Sequence, residues 1–162
     1  EEQIMEGGPI TLTDRRMTRF IMSVGQTVQL VQKSLEIAKG GEVFVTKMPA
    51  IRIEDLAEVM VKQLSERLSN QTRTIEIKEI GKQHGEKMFE ELMTEEESKR
   101  AIETDEFFMI LPAFHEYYLR TIVGYENAGG GMDGHSYVSA DGPYLSQENL
   151  ANFLSKNNVF AN

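Results

Sequence analysis

Short β-prone runs alternate with amphipathic helical segments through the first two thirds of this 162-residue sequence. The helical pattern is clearest over residues 52–68, where apolar side chains recur on one face and charged side chains occupy the other. A second helical pattern starts at Gln26 and is ended by Gly40 and Gly41. Because such a helix must bury its apolar face against another layer, the alternation predicts an α/β fold of mixed strands and helices.

The remaining elements are predicted from local patterns and boundary residues. Thr94 is expected to cap a second segment within a helix predicted over 85–102, with Glu97 completing a capping box. Ser146 is expected to cap a final helix. The run EYYLRTIVGY at 116–125 fits either a strand or a short helix. Extended runs are predicted at 9–13, 18–24, 42–46, 73–81 and 105–112.

The opening of the chain predicts that it is a portion of a larger protein. The first residues, EEQIMEGGP, look like the end of a helix that Gly7 and Gly8 terminate and Pro9 stops. The expected organisation is an α/β region over residues 1–126, a glycine-rich loop over 127–134, and a C-terminal segment with the final helix over 135–162.

Composition excludes several classes of function. The chain contains no cysteine, so it can form neither disulfides nor a thiolate site. Its formal net charge of −9 opposes binding of nucleic acid, whereas one or two well-placed cations suffice for a small anion. His84, His115 and His135 share no metal-ligand spacing, so no metal site is predicted. With neither a membrane-length apolar run nor a leader pattern in view, we expect a cytoplasmic protein that does not bind membranes.

The stretch TDRRMTRF, residues 13–20, carries the first candidate for anion binding. Arg19 stands between Thr18 and Phe20 at the start of an extended run, and its planar fork of donors matches a phosphate group. The alternative is a surface arginine that pairs with one of the 26 acidic residues. Arg15 and Arg16 are expected to lie in a turn and to be solvated.

The loop GKQHGEK, residues 81–87, carries the second candidate. It is predicted to join a strand to a helix, and Gly85 allows close approach of the backbone. The amides at the start of that helix, together with His84, Lys82 or Lys87, are then placed to face an anion. The alternative is a plain strand-to-helix connection.

No catalytic residue is predicted in this chain. It has no glycine-rich dinucleotide turn and no pattern of a Ser-His-Asp or Cys-His nucleophile. Tyr117 and Tyr118 lack a lysine four residues on, because Thr121 and Ile122 stand there.

Three ordered motifs give the chain a resemblance to a known family. They read T-D-x-x-M-T-R-F at 13–20, E-V-F-V-x-K-M-P at 42–49 and G-x-x-H-G-E-K at 81–87. The chain resembles the C-terminal half of the nucleotide-sugar dehydratases and epimerases of capsule and O-antigen synthesis, which are extended short-chain dehydrogenases. Its nearest members look like the UDP-N-acetylglucosamine 4,6-dehydratases, including those that also act as a 5-epimerase.

The resemblance implies roles for particular residues. Arg19 would contact the diphosphate of a UDP-sugar, and Met17 and Thr18 would line the same wall. In the third motif the family has an arginine where this chain has Gln83, which keeps hydrogen-bond donors but loses the charge. The substrate-binding residues implied in this chain are Arg19, Thr18, Met17, Gln83, His84 and Lys87.

The resemblance also implies a parent enzyme with more parts than this chain carries. NAD or NADP would bind to the N-terminal Rossmann half, which is absent here, and the parent would form a homo-oligomer. Two alternatives stay open: a portion of a UDP-sugar 4-epimerase, or a non-catalytic binding or oligomerisation module derived from the same scaffold. Residues upstream of this sequence would decide between dehydration and epimerisation.

Overall fold

The computed structural model describes residues 2–69, 75–114 and 134–159, together with residues 116 and 125. The chain divides into two compact units. Unit 1 consists of Glu1–Ile21, Pro49–Glu90 and Gly142–Asn162, and unit 2 consists of Met22–Met48 and Glu91–Asp141.

Short strands and a few longer helices make up the described residues. The helices are α1 (Glu2–Met5), α2 (Val24–Ile37), α3 (Ile53–Ser69), α4 (Glu95–Ser98) and α5 (Gln147–Lys156). The strands are β1 (Ile10–Leu12), β2 (Thr18–Phe20), β3 (Val43–Thr46), β4 (Ala50–Arg52), β5 (Ile77–Glu79), β6 (Glu91–Met93), β7 (Ala101–Glu103), β8 (Phe107–Ile110) and β9 (Tyr137–Val138).

Unit 1 is built around helix α3. The parallel pair β1–β5 and the antiparallel pair β2–β4 belong to this unit, and α3 packs against α5. One face of α3 contributes Val59 to a core with Ile51, Leu150 and Leu154. A second core joins the same helix to α1 and to the start of the β5 segment, through Ile4, Val61, Leu64 and Ile75. The apolar face read from the sequence at 52–68 is therefore buried on two sides.

Unit 2 is built around a three-stranded antiparallel sheet in the order β3-β8-β7. The central strand β8 is buried along its whole length. Helix α2 packs Leu30 and Ile37 against the core cluster that contains Phe107 and Met109. The antiparallel pair β6–β9 belongs to the same unit.

Most of the local expectations are confirmed. Mixed helices and strands form the fold, and α3 begins and ends within one residue of the predicted positions. The side chain of Thr94 accepts from the amide of Glu97, and the Glu97 carboxylate accepts from the amide of Thr94, which completes the capping box. Ser146 caps α5. Helix α2 starts two residues earlier than predicted, because Ser23 provides the cap.

The helix predicted over 85–102 is wrong. That stretch forms an irregular loop, β6, α4 and β7 instead. Gly85 adopts a φ of +87°. This left-handed conformation is incompatible with a right-handed helix that begins at Gly85. Met93 is fully buried beside Phe108 in unit 2, and pairing of β6 with β9 places it there. Tertiary packing thus overrides the helical propensity of the glutamate-rich sequence.

Other expectations fall on residues that the structure leaves undescribed. The run at 116–125 is described only at residues 116 and 125, and most of the predicted glycine-rich loop at 127–134 lies outside the described residues. The division of the chain at 126 and 135 therefore stays a prediction. His115, Tyr117 and Tyr118 also lie outside the described residues.

Candidate functional site: strand β2 and the loop beside it

Strand β2 in unit 1 is bonded along both of its edges. On one edge it pairs with β4, so that Thr18 lies opposite Arg52. On the other edge the amide of Thr18 donates to the carbonyl of Met88 at 3.0 Å. The amide of Phe20 donates to the Glu90 carboxylate at 2.8 Å. The TDRRMTRF motif is thereby joined to the segment that follows the GKQHGEK loop.

The Arg19 side chain adds hydrogen bonds to this junction between β2 and the 81–87 loop. Its Nη2 donates to the carbonyl oxygen of Lys87 at 2.8 Å, 68 residues away in sequence. Its Nη1 donates to the carbonyls of Thr18 at 2.7 Å and Met88 at 3.4 Å. Its Nε lies 3.9 Å from a carboxylate oxygen of Glu90, and 26% of the side chain is exposed. The guanidinium therefore lies against the end of the 81–87 loop and holds it to β2.

Met17 and Thr18 lie beneath this junction. Met17 is 3% exposed and Thr18 is 5% exposed. The carbonyl of Met17 accepts from the amide of Ile53 at 2.9 Å, so the residue also anchors the start of α3. These two side chains form a rigid base for the loop, and they offer almost no surface of their own.

The 81–87 loop is shaped by Glu86. Its carboxylate accepts from the amide of Gln83 at 2.9 Å and from the Thr13 hydroxyl at 3.1 Å. Gly81 and Gly85 adopt φ angles of +88° and +87°, and a Cβ added at either would meet no heavy atom within 4 Å. The loop thus folds back on itself as a tight turn with open space around its two glycines.

The loop presents basic side chains on an exposed surface. Lys82, His84 and Lys87 are exposed, as is Gln83. Within the part of the chain that the structure describes, the tips of Lys82, His84 and Lys87 form no ion pair or hydrogen bond. A patch of this kind can receive an anion without first breaking an internal contact. The expected contribution of helix amides is wrong, because no helix follows the loop.

The other two arginines of the motif also bond within the chain. Arg16 donates two hydrogen bonds to the Asp14 carboxylate, from Nε to Oδ1 at 3.0 Å and from Nη2 to Oδ2 at 2.6 Å. That hydrogen-bonded pair lowers the pKa of Asp14 to about 2. Arg15 pairs with Glu54 and donates to the carbonyl of Ile77 at 2.7 Å. The predicted turn is confirmed, and Arg16 is 81% exposed, but both side chains have partners.

Arg52 is a further cation of this region that sequence reasoning missed. It lies directly opposite Thr18 in the β2–β4 pair, and its guanidinium lies 4.7 Å from the centre of the Tyr144 ring. The backbone of Tyr144 pairs with Ala50, and Leu145 donates to the carbonyl of Ala50 at 2.9 Å. No local pattern signals this contact, because the two residues lie in opposite thirds of the sequence.

The described residues offer neither a metal site nor a membrane-spanning helix. Among the described residues, no three His, Asp or Glu side chains are arranged to hold a metal ion. None of the helices in the described ranges is long and apolar enough to cross a membrane.

Comparison with known proteins identifies relatives over most of the sequence. Residues 1–112 match a family described as polysaccharide biosynthesis protein. An uncharacterized membrane protein of Methanocaldococcus jannaschii is 40% identical over 161 residues, which are 96% of this chain and 43% of that protein. A UDP-glucose 4-epimerase of Rickettsia rickettsii is 37% identical over 108 residues, which are 67% of this chain and 30% of that protein.

Two further relatives match over nearly the whole chain. A UDP-N-acetylglucosamine 4,6-dehydratase (inverting) of Campylobacter jejuni is 29% identical over 152 residues, 90% of this chain and 42% of that protein. The X-ray structure of Pen from Bacillus thuringiensis superposes with a TM-score of 0.78 at 35% identity, over 96% of this chain and 42% of that one. The chain thus spans less than half the length of each of these four relatives.

Proposed function

The chain belongs to the polysaccharide biosynthesis protein family, and we propose on that premise that it is the substrate-binding, C-terminal portion of an extended short-chain dehydrogenase acting on a nucleotide sugar. The proposed reaction of the whole protein is 4,6-dehydration of UDP-N-acetylglucosamine or a close relative, with or without 5-epimerase activity. Relatives named as a UDP-N-acetylglucosamine 4,6-dehydratase and as UDP-glucose 4-epimerases support this substrate class.

The junction between β2 and the 81–87 loop is the observation that carries the proposal. Two motifs that are far apart in sequence meet there, because Arg19 bonds to the carbonyl of Lys87. The loop then exposes Lys82, His84 and Lys87 beside two glycines with open space around them. A diphosphate is a compact double anion, and basic side chains beside accessible backbone amides suit such a ligand.

Each proposed substrate-binding residue has a role that fits its position. Lys87 and His84 would contact the diphosphate or the sugar directly from the loop, and Gln83 would donate hydrogen bonds from its amide. The Arg19 guanidinium already donates to three backbone carbonyls, so in this proposal the predicted direct contact of Arg19 with the diphosphate is replaced by an indirect role. Arg19 would hold the loop in place and add positive charge behind it. Met17 and Thr18 would support the loop from beneath, since both are almost fully buried.

The chain does not fit the dinucleotide cofactor of such an enzyme. A dinucleotide turn needs a glycine-rich loop that leads from a strand into a helix. In the described residues, Gly81 and Gly85 lie in a loop that no helix follows, and Gly40 and Gly41 follow a helix. We therefore propose that NAD or NADP binds to the remaining portion of the protein, that catalytic residues lie there too, and that this chain alone is inactive.

A UDP-sugar 4-epimerase is the alternative, and a specific observation favours it. The relatives named UDP-glucose 4-epimerase are 36% or 37% identical to this chain over 108 residues, against 29% over 152 residues for the dehydratase. Gln83 is the residue that favours a non-catalytic binding or oligomerisation module, because the resembled family has an arginine there.

The proposal also covers the location, the oligomeric state and the ligands of the whole protein. We propose a cytoplasmic homo-oligomer in surface polysaccharide biosynthesis, such as that of capsule, with a UDP-sugar as its ligand and with neither nucleic acid nor membrane as a partner. Sedimentation of the full-length protein and fractionation of its host cells would test these statements.

Product analysis of the full-length protein tests the reaction directly. The protein would be incubated with UDP-N-acetylglucosamine and NAD or NADP, and the nucleotide sugar analysed by mass spectrometry and NMR. Dehydration predicts loss of one water and a new 4-keto-6-deoxy sugar. An unchanged mass with inversion at C4 would instead establish the epimerase, and recovery of unaltered substrate would contradict both enzymes.

A further inference from the structure

Arg52 is an exposed arginine that is held in place while its hydrogen-bond donors stay unused. Its guanidinium carbon lies 4.7 Å from the centre of the Tyr144 ring, and this cation–π contact fixes the position of the group. Within the residues that the structure describes, the guanidinium forms no ion pair and no hydrogen bond. Arginine carries a planar fork of N–H donors and no acceptor. The whole fork is therefore available to a ligand.

Other arginines in the described part of the chain use their donors internally. Each bonds to a carboxylate or to a backbone carbonyl, namely Arg15, Arg16, Arg19 and Arg100. The chain carries 26 acidic side chains against 17 lysines and arginines, so carboxylate partners are plentiful. Arg52 packs on an aromatic ring instead, which sets its direction and leaves its donors facing outward. An arginine held in this way is suited to bind a ligand.

Arg52 lies in line with the end of the 81–87 loop, across strand β2. On one edge of β2, Thr18 lies directly opposite Arg52. On the other edge, the amide of Thr18 donates to the carbonyl of Met88, the residue that follows the loop, at 3.0 Å. Because neighbouring strands lie about 4.8 Å apart, the backbone of Arg52 lies about 10 Å from that of Met88. All of these residues belong to unit 1, so Arg52 and the loop flank the same strand of one compact body.

Arg52 is placed to meet a different part of the ligand from the part that the loop receives. Tyr144 pairs with Ala50 along the edge of β4 that β2 does not occupy. The guanidinium lies over the Tyr144 ring and is thereby directed away from β2 and the loop. A diphosphate bound at the loop is compact and does not extend that far. Under the proposed function the sugar points to catalytic residues in the remaining portion of the protein, so the base is the part left for Arg52.

We propose that Arg52, backed by Tyr144, binds the uracil base of the nucleotide, an inference that rests on the proposed function. Uracil is planar, so one of its faces stacks on the guanidinium while the Tyr144 ring supports the opposite side of that group. Its ring carbonyl oxygens are acceptors, which an arginine with unused donors can satisfy. Arg52 is in this role a specificity residue, because it contacts the part of the ligand that a free diphosphate lacks.

An NMR titration that follows the arginine Nε–Hε signals tests this contact, with the Arg52 signal assigned by its loss in Arg52→Lys. UDP should shift the Arg52 signal together with the loop amides, whereas pyrophosphate should shift the loop amides alone. An Arg52 signal that UDP leaves unchanged while the loop responds would overturn this inference and leave the proposed function standing. A shift of Arg52 with pyrophosphate would also overturn it, since the arginine would then bind phosphate. A loop that responds to neither probe would contradict the proposed function itself, and the inference with it.

Isothermal titration calorimetry measures how much Arg52 contributes. Arg52→Lys keeps the charge but loses the planar fork, so it should raise the dissociation constant for UDP about tenfold and that for pyrophosphate less than about twofold. Arg16→Lys is the matched control, because Arg16 is also an exposed arginine of unit 1 but pairs with Asp14. Equal weakening of UDP and pyrophosphate by Arg52→Lys, or the same effect from Arg16→Lys, would overturn the proposal. Circular dichroism would confirm that both variants fold.

Discussion

Two regions of this chain hold distant segments together by different means. In unit 1, polar contacts from Arg19 and Glu90 join β2 to the segment behind the 81–87 loop. In unit 2, burial holds β8 at the centre of its sheet, with all four residues inaccessible. The first kind of contact is local and can open without unfolding the chain, whereas loss of the second should affect the unit as a whole.

The largest expected effect lies in unit 2. Met109 is 2% exposed and contacts Ile102 and Leu111 in the core. Met109→Ala should lower the free energy of unfolding by about 2–5 kcal/mol, because it leaves a cavity in a closely packed core. Urea denaturation would measure the loss. Val43→Ala in the same sheet is the control, since Val43 is 58% exposed and should cost less than about 1 kcal/mol. Equal losses for the two variants would contradict burial as the source of stability.

The second prediction concerns the junction in unit 1. Arg19→Gln should release the end of the loop, at a local cost of about 1–3 kcal/mol for the charge-assisted hydrogen bonds lost. Hydrogen exchange at the amides of Thr18 and Phe20 should quicken while that of β8 stays unchanged. Arg16→Gln is the control, because the Arg16 side chain bonds to Asp14, which lies two residues away. Faster exchange throughout the chain would show that the junction is not local.

Capping of α4 gives a smaller expected effect. Thr94→Ala removes the hydroxyl that accepts from the amide of Glu97, so the free energy of unfolding should fall by about 0.5–2 kcal/mol. Thr94→Ser keeps the hydroxyl and should recover most of that loss. Urea denaturation of both variants provides the comparison, and equal losses would show that the cap is not the cause.

The smallest expected effect is the response to pH. The Asp14 carboxylate bonds to Arg16, and its pKa is lowered from 3.8 to about 2. Its contribution to stability is complete above the ordinary pKa of 3.8 and is lost as the pH falls toward 2. An NMR titration of the Asp14 carboxyl group would follow this change. Arg16→Gln should return the pKa of Asp14 toward its ordinary value. If the pKa of Asp14 is unchanged in this variant, the hydrogen bond from Arg16 is not the cause of the shift.

The parts of the fold that were predictable from sequence are those set by nearby residues. Helix α3 follows from an apolar row along its own length, and the Thr94–Glu97 capping box follows from two residues three positions apart. The helix predicted over 85–102 was wrong because the structure of this stretch depends on residues far away in sequence. Glu90 accepts from the distant amide of Phe20, and Met93 is buried by a strand from far along the chain.

The candidate site was predictable in its parts but not in its construction. Arg19 and the 81–87 loop were singled out separately, and the structure brings them together through the carbonyl of Lys87. The contact of Arg52 with Tyr144 could not be foreseen, because it depends on how β4 meets the segment before α5. Periodicity reports which face of an element is apolar, and it carries no information on which distant element covers that face.

An NMR titration of the ¹⁵N-labelled chain with UDP tests the central proposal most directly, namely that the 81–87 loop held by Arg19 receives a diphosphate. The proposal predicts that the amides of residues 81–87 shift with UDP, that uridine without the diphosphate produces no such change, and that Arg19→Gln weakens the response. Shifts that spare the loop, or that uridine reproduces, would contradict it.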